Sequence, residues 1–210
     1  MDNAYTLLYI IVAFAAAGWL FQAARLWPDY KNGLYRELYG GFIFYFWHVV
    51  IRQDASESGY LRQKIGYSRI LFSKIDKNGK TAARFCTIFY NEGLFTICYQ
   101  NTDGAIHGKA KDKDWVVTRT DKKGQTASFR HHNPTADLEA YLRRLAIAFP
   151  DAHMETRICF PDKVDFSGLK SDVQLIHAEQ IMNELQNVKA DFISDEMIKA
   201  DFAKASGEKA

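Results

Sequence analysis

Cysteine is scarce in this sequence, and net charge is almost absent. Of 210 residues only Cys86, Cys98 and Cys159 are cysteines, each inside a run of apolar and β-branched residues. An odd count at irregular spacing excludes a disulfide framework, and the lack of any Cys-x-x-Cys pair removes the usual zinc signature. The pattern predicts three reduced thiols in the core of a cytosolic domain. Lys and Arg total 27 against 25 Asp and Glu, a formal net charge of +2. With no basic block along the chain, bulk electrostatic attraction to nucleic acid is not expected. No internal repeat is visible. What is present is an ordinary globular composition, 48% apolar and 25% charged, in a length suited to one mid-sized domain plus an added segment.

Charge is also missing from the whole stretch between Asp2 and Arg25, whose centre reads Leu7-Leu8-Tyr9-Ile10-Ile11-Val12-Ala13-Phe14. About 20 such residues, at ~1.5 Å rise each, cross a hydrocarbon layer ~30 Å thick. Residues 5–24 are therefore expected to form a transmembrane helix, with Trp19, Phe21 and Trp27 suited to an interfacial aromatic belt. A cleaved signal peptide competes, because Ala15-Ala16-Ala17-Gly18 offers small residues. Its n-region should carry Lys or Arg, and this N-terminus has neither. A buried core helix is rarely so long and so uniformly apolar. Arg25, Lys31 and Arg36 follow the helix while no basic residue precedes it, which predicts a domain facing the cytoplasm.

A second apolar segment, residues 40–51, contains Phe42-Ile43-Phe44-Tyr45-Phe46-Trp47. It is short for a span and is read as membrane-associated: a surface helix, a short second span closing a hairpin, or failing those a buried strand. The anchor region is thus residues 1–53. Asp54-Ala55-Ser56-Glu57-Ser58-Gly59 reads as a polar linker within residues 54–68 that leads to the domain.

Behind it, strand and turn signals alternate over residues 69–75, 83–90 and 94–100, with turns at Asp76-Lys77-Asn78-Gly79 and Asn91-Glu92-Gly93. Residues 115–118 and 126–130 supply two more strands. Leu138, Tyr141, Leu142, Leu145 and Phe149 then recur at helical spacing, with Thr135 as N-cap behind Pro134. A buried strand at 154–160, a short strand at 173–176 and an amphipathic helix at 178–188 complete an α/β domain over 69–190. Residues 191–210 are expected to hold a short helix from Ser194 and a flexible tail. The predicted architecture is a mixed β-sheet flanked by helices.

Several pieces of this domain resemble the NERD (nuclease-related) family. They are Gly93-Leu94-Phe95-Thr96-Ile97-Cys98-Tyr99-Gln100-Asn101, then Gly104-Ala105-Ile106-His107-Gly108, then Trp115. Asn133-Pro134 precedes a long helix, and Ile158-Cys159-Phe160-Pro161-Asp162 ends a strand, as in the family. The resemblance covers roughly residues 69–185 and rests on the order of the motifs. It implies a restriction-endonuclease-like fold, often found behind a transmembrane helix. In such nucleases an Asp and the Glu of a Glu-x-Lys motif hold Mg²⁺, and the Lys assists the attacking water. Carried over, the Asp falls at Phe85, the Glu at Cys98 and the Lys at Gln100, while a Gln after Asn-Pro falls at Asp137. A one-residue shift puts Arg84 or Cys86 at the Asp position, which is no better a metal ligand. The implied site is degenerate, so neither catalysis nor a metal or other cofactor is expected.

Other candidates carry less. Glu92, Asp103, Asp112 and Asp114 lie in turns and loops and read as solvated carboxylates; a relocated metal site would have to draw on them. Gly79-Lys80-Thr81 echoes a phosphate loop, but Lys74 stands where its upstream Gly is needed, and a strand follows instead of a helix. His131 and His132 are adjacent on a strand and point to opposite faces, while His107 sits between two glycines. The expected function is a membrane-bound, non-catalytic binding or scaffold subunit, its partners the lipid bilayer and a protein. The alternatives are an active Mg²⁺-dependent nuclease, or a nucleic-acid-binding module without cleavage.

Overall fold

The charge-free N-terminal sequence forms one helix, α1 (Asp2–Lys31), in the computed structural model, which describes residues 2–77 and 80–207. The helix outruns the expected residues 5–24 by more than a turn, even though Pro28 removes one backbone donor from its last turns. Packing accounts for the extension: Leu26 lies against the core and Tyr30 is buried in it.

The chain then reverses twice within ten residues. Gly33 (φ +114°) leads into α2 (Leu34–Tyr39), and a Cβ there would lie 2.5 Å from that of Ala178. Gly40 (φ +72°) ends α2, where a Cβ would lie 2.6 Å from the Tyr60 ring. Only glycine takes both the left-handed backbone and the close approach without strain. Helix α3 (Phe42–Phe46) follows and continues as a π-turn over Trp47–Ile51. The strand reading of residues 40–51 is thus corrected. A second crossing also fails on length, because ten helical residues reach only about 15 Å.

Asp54 to Gly59 is tied down and does not behave as a loose linker. Tyr39 Oη donates to the Ala55 carbonyl and Ser58 Oγ to that of Leu38, both at 2.5 Å. Ser58 also caps α4 (Gly59–Ile65), and Ile70 N donates to the Ser56 carbonyl at 2.8 Å. An aromatic knot of Trp27, Tyr30, Tyr35, Tyr39, Phe42 and Tyr45 joins the end of α1 to α2 and α3, with ring centroids 4.8–6.4 Å apart.

Two mixed sheets form the rest. The first runs β1 (Ser68–Lys77), β2 (Lys80–Tyr90), β3 (Gly93–Tyr99), β7 (Met154–Phe160) and β9 (Leu175–His177) in that order. β1, β2 and β3 are antiparallel; β3, β7 and β9 are parallel. Of the turn expected at Asp76-Lys77-Asn78-Gly79, Asp76 and Lys77 belong to β1 instead, and Asn78-Gly79 lie outside the described residues, as does the Gly79 of Gly79-Lys80-Thr81. Asn91 and Glu92 close the β2–β3 hairpin, and a Cβ on Gly93 (φ +113°) would lie 2.4 Å from the His153 carbonyl oxygen.

The second sheet runs β6 (Thr126–His132), β5 (Asp114–Thr120), β4 (Ala105–Lys109) and β8 (Asp165–Lys170), with β4 and β8 parallel. Of the glycine pair, Gly104 precedes β4 and Gly108 lies within it. A Cβ on Gly104 would lie 2.3 Å from the Thr118 carbonyl oxygen and one on Gly108 would lie 2.6 Å from the Trp115 ring, so both glycines let β5 close on β4.

Helices cover the sheets: α5 (Thr135–Ala148), α6 (Ile181–Asn187) after a 3₁₀ turn at Ala178–Gln180, and α7 (Asp195–Ser206) capped by Ser194. β3 is buried along its whole length, so the alternation of strand side chains feeds two cores. Phe95, Ile97 and Tyr99 join Cys86, Ile88 and Tyr90 beneath α2 and α6. Phe85 and Cys98 face the other way, into a core shared with Trp115, Val117 and Leu138. Further along that face, Phe89 and Leu94 meet Leu145, Phe149, Ile198 and Phe202 from α5 and α7.

Candidate functional site

Strand register brings together the three positions singled out in the sequence. Phe85 on β2 lies directly opposite Cys98 on β3, and Gln100 follows two residues on, just past the end of β3. Two side chains so paired are neighbours in space, about 4.5–5.5 Å apart at Cβ. Here the pair is apolar. Phe85 is 2% exposed and stacks on Tyr141 of α5 with centroids 4.4 Å apart and planes 5° from parallel. Cys98 is fully buried, and burial pushes its thiol up to about 12. A thiol that stays protonated at neutral pH is neither a ready nucleophile nor a metal ligand. Burial raises the Cys86 and Cys159 thiols as well.

Gln100 sits in the middle of a polar chain. Its Nε2 donates to Cys98 Sγ at 3.3 Å, which leaves Oε1 to accept from His131 Nε2 of β6 at 2.9 Å. Desolvation holds His131 below its usual imidazole range, with the neighbouring His132 and Arg119 acting in the same direction. His132 turns to a different partner, bonding Asp137 Oδ2 through Nε2 at 2.7 Å. Asp137 is 7% exposed in the first turn of α5, where its charge also favours the positive end of the helix dipole. The two histidines diverge, as neighbours on a strand must. Among the described residues, no group of three or more His, Cys, Asp or Glu stands close enough to hold a metal ion.

Asn133 explains the Asn-Pro step. Its Oδ1 accepts from Thr135 N and Oγ1, and its Nδ2 donates to the carbonyls of Ala110 and Asp112. Pro134, which offers no side-chain cap, takes the N-cap position expected of Thr135; Thr135 is buried inside the first turn and held by Asn133. The acids weighed as replacements are used elsewhere. Glu92 accepts from Ala190 N, Asp103 pairs with Arg119, and Asp112 accepts from Lys109 N. Asp114 begins β5. His107 is exposed on β4, opposite Val116 and Gly168.

At the other end of the molecule, Tyr5–Lys31 is one helix long and apolar enough to cross a membrane, with mean hydropathy 1.9 over a window that buries none of its residues. Phe14, Leu20 and Phe21 are each more than 70% exposed.

Sequence reasoning found Phe85, Cys98, Gln100 and the exposed helix, but not the links from Gln100 to His131 and from Asp137 to His132. The first joins the two sheets across 31 residues of sequence, and the second depends on the β6–α5 turn swinging Asp137 back onto His132, so no recognised local motif carries either. No family model, no curated protein and no solved structure matches the chain.

Proposed function

We propose that this chain is a membrane-anchored, non-catalytic module of the NERD type, restriction-endonuclease-like in fold, held at the cytoplasmic face. It works by binding, as a subunit or scaffold of a membrane assembly. The observation that carries this reading is the Phe85–Cys98 pair. The resemblance puts two metal-binding carboxylates at these positions, and their side-by-side placement suits that origin. Phe85 and Cys98 offer no oxygen ligand, and the stacked Tyr141 ring fills the space beside them. The exposed apolar surface of α1 and the basic residues that follow it support anchoring with the domain inside.

Two measurements test it. Full-length protein in detergent should leave single- and double-stranded DNA and RNA intact with or without Mg²⁺; EDTA-sensitive cleavage that follows the protein through purification refutes the non-catalytic reading. Crosslinking in native membranes should capture a defined membrane protein in fixed ratio. Capture of nucleic acid instead, with binding that falls steeply as salt rises, would favour the nucleic-acid module.

A further inference from the structure

Among the described residues, no protein contact explains the exposed face of α3 and its π-turn. Ile43 is 79% exposed, Phe44 66%, Trp47 53% and Ile51 38%. At about 100° per residue these four share one arc about 100° wide. Phe42, Tyr45 and Val49 occupy the opposite arc and pack into the domain core. The helix is therefore apolar on both faces, with one face already used.

Its neighbours indicate what covers the other. The Phe42 ring meets the Trp27 ring of α1 edge-on at 5.1 Å, which sets the exposed stripe beside the point where the long apolar helix joins the domain. Trp27 itself is 49% exposed. Polar groups border the stripe: Arg52 caps the π-turn, and His48 and Phe44 line a cavity of about 480 Å³ shared with Tyr60 and Gln63. The Lys64 ammonium lies 5.8 Å from the Tyr60 ring. An apolar stripe with a tryptophan, bordered by cations and set beside a span, is the pattern of a helix lying in a bilayer interface.

We infer that residues 42–51 form an in-plane interfacial helix whose Ile43, Phe44, Trp47 and Ile51 enter the lipid headgroup and upper acyl region of the membrane that α1 crosses. This rests on the anchoring reading above. The aromatic knot joins both helices to the domain, so two membrane contacts fix the domain's tilt and present one chosen face to a partner. The Gly40 turn is what permits it: a side chain there would strike Tyr60 and displace α3.

Spin labels on the full chain, reconstituted in phosphatidylcholine–phosphatidylglycerol vesicles, test the proposal. The three native cysteines are buried, so Phe44→Cys accepts label at one site. Phe14→Cys on α1 and Ala127→Cys on β6 serve as lipid and water references. The expected result is a Phe44 label open to oxygen, with nickel-chelate collisions several-fold below those at Ala127, and a depth shallower than Phe14. A buried Phe14 label with Phe44 as chelate-accessible as Ala127 overturns the interfacial helix and leaves the anchor standing. A Phe14 label open to the chelate overturns both. A Phe44 label shielded from both reagents and broadened by a second label means that another copy covers the face, and also overturns it. A label at Ile43→Cys repeats the reading one residue away.

Discussion

Truncating Phe85 measures whether its position is ordinary core. The ring is 2% exposed, packed among Ala83, Cys98, Ile106 and Leu138, and stacked on Tyr141. Phe85→Ala removes buried apolar area and leaves a cavity between two sheets that cannot easily collapse, a loss of about 4 kcal/mol. For a chain of this size each kcal/mol lowers Tm by about 2–4 °C, so a drop of about 8–16 °C is expected. Phe85→Leu keeps most of the volume and should cost about 1–2 kcal/mol. Near-UV circular dichroism of detergent-solubilised full-length protein suits the assay, because it follows packed aromatic rings and ignores α1 persisting in the micelle. A double-mutant cycle with Tyr141→Leu should return about 0.5–1.5 kcal/mol of coupling for the stacked rings. Tyr141→Phe separately reports the 2.9 Å hydrogen bond to Thr87, worth about 1 kcal/mol. A Phe85→Ala variant that melts within about 2 °C of the parent would refute the reasoning. It would mean that the position tolerates loss of its side chain, as a loosely packed functional site does and a core does not.

The remaining tests are smaller. His131 is held below its ordinary range in the folded state, so the unfolded chain binds the proton first as pH falls through about 6.5. Stability should therefore decline below that pH, and His131→Gln should flatten the decline in denaturant titrations between pH 7 and 5; an unchanged slope argues against the buried neutral imidazole. Arg157 bridges Glu155 and Glu184 at 2.8 Å each with its side chain 13% exposed, and lies over the Phe95 ring. Arg157→Ala removes both ion pairs and leaves the partly exposed Glu155 and Glu184 only their His153 and Gln174 contacts, so it should cost about 2 kcal/mol, and Arg157→Lys about half of that, since a point charge cannot serve both acids as the guanidinium fork does. Cys86, Cys98 and Cys159 should resist Ellman's reagent at pH 8 until the domain unfolds, and one fast-reacting thiol in the native protein would contradict their burial.

The absence of charge over more than twenty residues determined the apolar part of α1 without reference to anything else, because a helix satisfies its own backbone hydrogen bonds; only its last turns depend on packing. Short-range patterns likewise marked β2, β3, β7 and α5 to within a few residues, and even the tight turn at Asn91-Glu92-Gly93. Motif order alone singled out Phe85, Cys98 and Gln100 as positions. That they form one cluster followed only from strand register.

Tertiary structure decided the rest. β4 and β8 escaped notice because each is short, carries glycine and buries few side chains; their pairing joins residues about sixty positions apart. Asp54 to Gly59 looks like a linker by composition, yet its polar groups bond to Leu38, Tyr39 and Ile70. Residues 42–51 are apolar on every side, so hydropathy could not tell which side faces protein. The Gly33 and Gly40 reversals settle that by folding the segment back onto α1 and the first sheet. Local sequence sets which side chains an element offers; which of them meet depends on contacts between segments far apart in the chain.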